Sequence, residues 1–190
     1  MMTSKQLIAA GWLAMANAAL TVPWVVLTFV IAGRGGSMAK IAEGLFLVVG
    51  TALYVYLLAN LRRLLHERCV FREADTVITQ LIMVNIISAM VGILGSVFPG
   101  LGDSLAVFGI IMVVFLGILQ TIFGIRLLRF PDDLKGLHKP YCYLNILTGA
   151  STAMIFLLPV GILTGAVADV MLGTIFFQAA AKVNPAAPEG

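Results

Sequence analysis

A single carboxylate inside a long apolar segment is the residue of this chain best placed to do chemistry. Asp169 is the only charged residue between positions 141 and 181. It falls about eight residues, or about 12 Å along a helix, into the last predicted membrane span. A carboxylate there costs about 2.5 to 3.5 kcal/mol, so it should face the bundle interior, be paired or be protonated. Asp169 therefore predicts a proton- or cation-coupling site, with a structural hydrogen bond or an interfacial position as the alternatives.

Polar residues in the other predicted spans form a second group of candidates. Four amides were selected as companions of Asp169 on an ion or proton pathway: Asn17, Asn85, Gln120 and Asn145. Further polar residues in the same spans are Gln80, Thr148, Ser151 and Thr152. Single polar residues in membrane helices also form hydrogen bonds between helices, and each such bond stabilises the fold by about 0.6 kcal/mol. The group leaves two hypotheses open, a polar path through the bundle and simple interhelical packing.

The histidines and cysteines form a third group. The chain contains two of each, and they occur as one pair in each of two basic loops: His66, Cys69, His138 and Cys142. Two imidazoles and two thiolates match a tetrahedral zinc site in number and type. The spacing is that of no known zinc finger, and neighbouring cations would repel a divalent ion. A metal or redox site is one hypothesis, and solvated histidines with interfacial cysteines are the other.

Motifs of known membrane enzymes are absent from the sequence. It contains no H-E-x-x-H, G-x-S-x-G, Walker or G-x-G-x-x-G pattern. The first hypothesis is therefore a non-enzymatic membrane subunit, assembly factor or regulator without a cofactor, which binds other membrane proteins or lipids. The second is a small secondary transporter or channel that uses Asp169, and the third is the metal or redox protein.

The composition predicts the elements that must position these residues. Of the 190 residues, 61% are apolar and 11% charged, whereas soluble domains have about 45–50% and 25%. One crossing takes about 20 apolar residues, so we expect an all-α membrane domain with six transmembrane helices, short loops and no soluble domain. The predicted spans are residues 7–32, 41–61, 76–98, 105–125, 141–159 and 161–181. The break in the last apolar stretch is expected near Pro159 and Gly161.

The distribution of lysine and arginine predicts the orientation. With residues 62–75 on the cytoplasmic side, ten basic residues face the cytoplasm and only Arg34 and Lys40 face outward. This bias predicts a multi-pass protein of the cell inner membrane with both termini cytoplasmic. The net charge of +3 lies in short loops beside the spans, so we expect no nucleic-acid partner.

Two further predictions concern contacts of the helices with lipid headgroups and with one another. Six arginines beside the spans are expected to contact lipid headgroups and fix the topology: Arg62, Arg63, Arg68, Arg72, Arg126 and Arg129. Small residues four apart, at Ala10, Ala14 and Ala18 and at Gly161 and Gly165, are expected to let helices pack closely. The predicted partners are the lipid bilayer and other membrane proteins or copies of this chain.

Overall fold

The computed structural model describes residues 2–32, 37–69, 71–98, 102–130 and 136–183. Within these ranges the side chains of residues 22, 24–32, 37–43, 68–69, 96–97, 102–103 and 183 are not described. The helices are α1 (Ser4–Ala32), α2 (Ser37–Cys69), α3 (Asp75–Val97), α4 (Gly102–Leu127), α5 (His138–Ala153) and α6 (Leu158–Val183). A 3-10 turn, Ile155–Leu157, separates α5 from α6. The all-α prediction is confirmed, since the described segments contain no strand.

Four helical segments in the described part of the chain are long and apolar enough to cross a membrane. They are Gly44–Glu67, Asp75–Gly95, Ser104–Leu127 and Ile155–Lys182. A helix needs about 20 residues to cross about 30 Å of hydrocarbon, and these segments have 21 to 28. The segments indicate a membrane protein.

The helices pack in a closed ring. Each helix contacts the next one along the chain, and α6 returns to pack against α1. Ala10 and Ala14 are fully buried and Ala18 nearly so, as expected for small residues where helices approach closely. Gly161 and Gly165 of α6 face α5, where a Cβ on Gly161 would lie 2.8 Å from the hydroxyl oxygen of Thr152.

The tightest contact in the ring joins α4 and α5. A Cβ built on Gly117 would lie 2.5 Å from the backbone nitrogen of Ala153, and one on Gly149 would lie 2.5 Å from the carbonyl oxygen of Gly117. Backbone atoms therefore occupy the space where side chains would be. Only glycine at both positions allows these two helices to approach so closely.

The buried apolar core lies at one end of the ring, the end that holds the α2–α3 connection. Six large side chains, each 2% exposed or less, define an apolar plug there: Leu57, Leu61, Ile78, Leu81, Phe123 and Phe176. On α2, no residue before Leu57 is buried among those described from Gly44 onward. The first half of α2 is therefore loosely packed in its described part, whereas α4, α5 and α6 stay closely packed at Gly117, Gly149 and Gly161.

Two helix boundaries differ from the predicted spans by more than four residues. Helix α2 continues to Cys69, eight residues beyond the predicted end, because Leu64 and Leu65 are buried against the plug. The break after α5 comes at Met154, earlier than the expected Pro159 and Gly161. Pro159 is instead the second residue of α6, where its missing N–H has no intrahelical partner to lose.

Candidate functional site

Asp169 lies near the middle of α6 and is paired with an amide from α1. It is the twelfth of the 26 residues of the helix, about 16 Å from its first residue by helical rise. Asn17 donates a hydrogen bond of 2.7 Å from Nδ2 to Oδ2 of Asp169. The other carboxylate oxygen, Oδ1, accepts no hydrogen bond from a described residue. Asp169 thus keeps one acceptor oxygen for another group.

The carboxylate lines a cavity at the centre of the ring. The cavity has a volume of about 420 Å³ and receives a polar side chain from every one of the described helices. Its polar lining consists of Asn17, Thr21, Tyr54, Asn85, Gln120, Tyr141, Asn145, Thr148 and Asp169. No lysine, arginine or histidine is among the described lining residues, so amides, hydroxyl groups and one carboxylate set its character.

All five residues selected from the sequence as an ion or proton pathway line this one cavity. Asn17 and Asp169 form the hydrogen bond across α1 and α6. Gln120 of α4 approaches Asn145 of α5, with Nε2 3.4 Å from Oδ1. The Nδ2 group of Asn145 donates to the carbonyl oxygen of Tyr141 at 2.8 Å, so the orientation of this amide is fixed. Their role in coupling stays a prediction, while their convergence is a structural fact.

Asn85, the remaining member of that set, has an unsatisfied acceptor. Its Oδ1 is buried and makes no hydrogen bond within the described part of the protein. Leaving a buried polar atom unpaired costs about 1–3 kcal/mol, so such atoms are uncommon, and an ordered water or another bound group is one explanation for them. Asn85 lies on α3 and faces the cavity that Asp169 enters from α6.

The apolar plug closes one end of the cavity. Leu57 and Phe123 belong to both the plug and the cavity lining, and Leu172 adds a further buried apolar side chain on α6. On the other side, the lining contains Thr21, Gly50 and Gly161, which are small. Water and polar solutes thus meet an apolar barrier at the plug, while three of the described lining residues on the opposite side are small.

Three cavity residues were missed by sequence reasoning, namely Thr21, Tyr54 and Tyr141. Tyr54 and Tyr141 are aromatic residues in apolar segments, and their hydroxyl groups were not weighed as polar groups. Tyr54 lies three residues before Leu57 on the same face of α2, but the burial of Leu57 is known only from the structure, so the sequence carries no signal for the inward direction of Tyr54. Of the other polar residues in the spans, Gln80 is exposed and lies outside the lining.

A second hydrogen-bonded contact supports the cavity wall between α5 and α6. Thr148 donates from Oγ1 to the hydroxyl oxygen of Thr164 at 2.9 Å. Thr164 in turn lies 2.9 Å from the carbonyl oxygen of Val160, one turn back on its own helix. Ser151, one turn beyond Thr148, is buried. These hydroxyls hold α6 in the rotation that turns Asp169 toward the cavity.

The histidine and cysteine pairs lie at the plug end, away from Asp169. His138 and Cys142 are buried together, with Sγ of Cys142 3.4 Å from Nε2 of His138, and that nitrogen is 2.8 Å from the carbonyl oxygen of Leu127. His66 lies 3.3 Å from Asp75, and the side chain of Cys69 is outside the described residues. Among described residues, no group of three or more histidine, cysteine or acidic side chains is placed to hold a metal. The four-residue metal site therefore stays a prediction.

Four of the predicted headgroup arginines contact residues of the α2–α3 connection or of the helix ends beside it. Arg62 lies 3.3 Å from Asp75, Arg63 3.8 Å from Glu67, and Arg129 3.9 Å from Glu73. Arg126 donates to the carbonyl oxygen of Glu73 at 3.1 Å. Arg72 is exposed, and the side chain of Arg68 is not described. These ion pairs are partly exposed, so each contributes about 0–1 kcal/mol and the cluster serves mainly to place the arginines.

Comparison of the chain with models of protein families, with curated proteins and with solved structures finds no match.

Proposed function

We propose that this protein is a small secondary transporter of the inner membrane, in which Asp169 binds the coupling proton or cation. Its chain crosses the bilayer six times with both termini in the cytoplasm. The transport is non-enzymatic and uses no cofactor. The observation that carries the proposal is the cavity to which each described helix contributes a polar side chain, with Asp169 at its wall.

The size and chemistry of the cavity fit this role. A volume of about 420 Å³ falls within the range of about 300–1,000 Å³ typical of small-molecule sites. Ionisable residues within membrane helices are expensive, and they concentrate where ions or protons pass. Purely structural hydrogen bonds between helices would need neither an open volume nor the unpaired Oδ1 of Asn85.

The apolar plug at one end of the ring supports a mechanism of alternating access instead of an open pore. The apolar plug seals the end that carries the basic α2–α3 connection, which the positive-inside rule assigns to the cytoplasm. The cavity would then be reached from the outer side in this conformation. Opening toward the cytoplasm requires Leu57, Phe123 and their neighbours in the plug to separate while the outer half closes.

A non-enzymatic subunit or assembly factor is the second candidate. It is favoured by the absence of catalytic motifs and by the many exposed apolar side chains, such as Ile110, Phe156 and Leu163, which suit either lipid or another membrane protein. The two candidates differ in one respect, because a subunit has no need of flux through the cavity. The metal or redox alternative predicts metal retained by the purified protein and lost on Cys69→Ser.

Flux across reconstituted vesicles tests the transporter proposal. Vesicles that contain the full chain and an internal pH-sensitive dye are exposed to an imposed proton gradient, with and without a sodium gradient. We expect flux in the parent protein and at least a tenfold loss with Asp169→Asn, which keeps the size of the side chain and removes its charge. Thr174→Val is the control on the same helix, because the Thr174 hydroxyl bonds to the carbonyl oxygen of Val170.

The contradicting results are equally specific. Flux that is unchanged in Asp169→Asn would remove the coupling role of this carboxylate. A parent protein that moves neither protons nor sodium would contradict the transporter itself and favour the subunit.

A further inference from the structure

A second, larger depression lies beside the central cavity and is almost wholly apolar. This groove has a volume of about 760 Å³ and runs along α2, α3 and α4 to the turn before α6. Its wall includes Leu47, Val113 and Leu116, and three glycines (Gly92, Gly95 and Gly109) keep its floor low. Ile110 and Ile155 at its edge are 52% and 49% exposed, so the groove lies at the surface that hydrocarbon chains cover in a bilayer.

Asn85 joins the groove to the polar cavity. Its side chain lines both, and it also lines a smaller cavity of about 240 Å³ between them. That smaller cavity shares Asn17 and Gly50 with the central cavity, and Leu47 and Thr51 with the groove. A hydrocarbon-lined space thus adjoins a polar one, and Asn85, whose Oδ1 is unpaired, lies at the boundary.

The polar groups of the central cavity determine which charge the polar head of a bound ligand can carry. Oδ1 of Asn85 and Oδ1 of Asp169 both lack a hydrogen-bond donor from the described residues, and both are acceptors. No cationic side chain is among the described residues that line either space. A phosphate or carboxylate head would face a carboxylate without compensation, whereas an ammonium group supplies both the charge and the N–H donors.

We infer that the protein binds a long-chain primary amine, with its ammonium head between Asn85 and Asp169 and its hydrocarbon tail in the groove. The amine enters from the bilayer, because the groove edge faces the lipid and the tail need not leave hydrocarbon. Whether the amine is also carried across rests on the proposed transport function. Binding does not depend on that function, so the two can fail separately.

Photolabelling in vesicles tests the binding directly. The full chain in phosphatidylcholine vesicles is exposed to a long-chain primary amine with a diazirine in its tail, and labelled peptides are mapped by mass spectrometry. We expect labels on α3 and α4 residues of the groove, competed by excess dodecylamine but not by dodecanoate. Dodecyltrimethylammonium, which has charge but no N–H donor, should compete less well than dodecylamine.

Matched glycine variants separate specific binding from partition into the bilayer. A Cβ on Gly109 meets no atom within 4 Å, so Gly109→Leu should fill the groove without strain and reduce groove labelling at least tenfold. Gly44→Leu is the control, because a Cβ there also meets nothing within 4 Å and Gly44 is not a groove or cavity residue. Asn85→Leu, which removes the acceptor, should weaken competition by dodecylamine about tenfold, as expected for a hydrogen bond to a charged group.

Three outcomes would overturn the inference. Labelling that persists in Gly109→Leu, or that dodecylamine does not compete, would show partition into lipid alone. Equal competition by dodecanoate would exclude an ammonium site. If groove labelling is specific but the vesicles show no flux, the binding inference stands and the transporter proposal fails. If the vesicles show flux but the groove is not labelled, the transporter proposal stands and the binding inference fails.

Discussion

Asn17 on α1 and Asp169 on α6 are joined by a hydrogen bond of 2.7 Å across the first and last helices of the ring. The two residues are 152 positions apart in the chain. The bond closes the ring at the level of the cavity and leaves the second carboxylate oxygen free to meet a group in the cavity. The same two residues therefore form a contact that stabilises the ring and supply a candidate binding group.

A double-mutant cycle on this pair measures how far the contact stabilises the ring. We expect Asn17→Leu and Asp169→Leu, alone and together, to give a coupling free energy of about 1 kcal/mol, since interhelical hydrogen bonds in membranes average about 0.6 and reach about 1.7 kcal/mol. Reversible unfolding of the purified protein in mixed micelles gives the four free energies. A coupling of zero would mean that the two side chains do not interact in the folded protein.

Filling the cavity should abolish its function without unfolding the protein. Gly50 lines the central cavity, and a Cβ there meets no atom within 4 Å, so Gly50→Leu places a large apolar side chain in open space. We expect at least a tenfold loss of flux with an unchanged melting temperature. Gly44→Leu, on the same helix and also without a close neighbour, should retain parental flux. Parental flux in Gly50→Leu would place the transport path elsewhere.

The α4–α5 contact should tolerate no side chain at Gly117. We expect Gly117→Ala to reduce the free energy of unfolding by about 1–3 kcal/mol, because the added methyl group meets the backbone of Ala153 at 2.5 Å. Gly109→Ala on the same helix is the control, since its Cβ has open space around it. Equal stability of the two variants would show that α4 and α5 lie further apart.

The six-span topology predicts the location of each terminus and loop. A phosphatase reporter fused to the C-terminus should be inactive, because that end is cytoplasmic in our proposal. The same reporter inserted after Phe98, between α3 and α4, should be active outside the cytoplasm. Activity in the C-terminal fusion would require an odd number of crossings and a different role for α5, which has 16 residues.

The convergence of the polar residues could be predicted from the sequence, and their exact neighbours could not. A carboxylate or amide in hydrocarbon must turn inward, so Asp169, Asn17, Asn85, Gln120 and Asn145 had to face the bundle. The helices are apolar around their whole circumference, as α4 shows, so hydrophobic periodicity does not reveal which apolar side faces inward. Tyr54 and Tyr141 were missed for that reason.

The helix boundaries could likewise be predicted from the sequence only in part. Asp75 begins α3, and an acidic residue at a helix start is a readable signal. The break at Met154 carries no proline or glycine, and it comes directly after Ala153, whose backbone packs closely against Gly117 of α4. Such a contact joins distant parts of the chain, so sequence reasoning placed the break at Pro159.

Access to the cavity from a single side is the claim on which the account depends most. Gly165 lines the cavity one turn from Asp169, and a Cβ there makes an ordinary contact of 3.4 Å with Thr148, so a Gly165→Cys variant with Cys69→Ser and Cys142→Ala should fold. A membrane-impermeant cationic thiosulfonate is applied to vesicles of known orientation, from either face, with Thr174→Cys in the same background as the control. We predict modification of Gly165→Cys from the outer face only and none of Thr174→Cys. No modification from either face, or faster modification from the cytoplasmic face, would contradict an outward-open polar cavity sealed by the apolar plug.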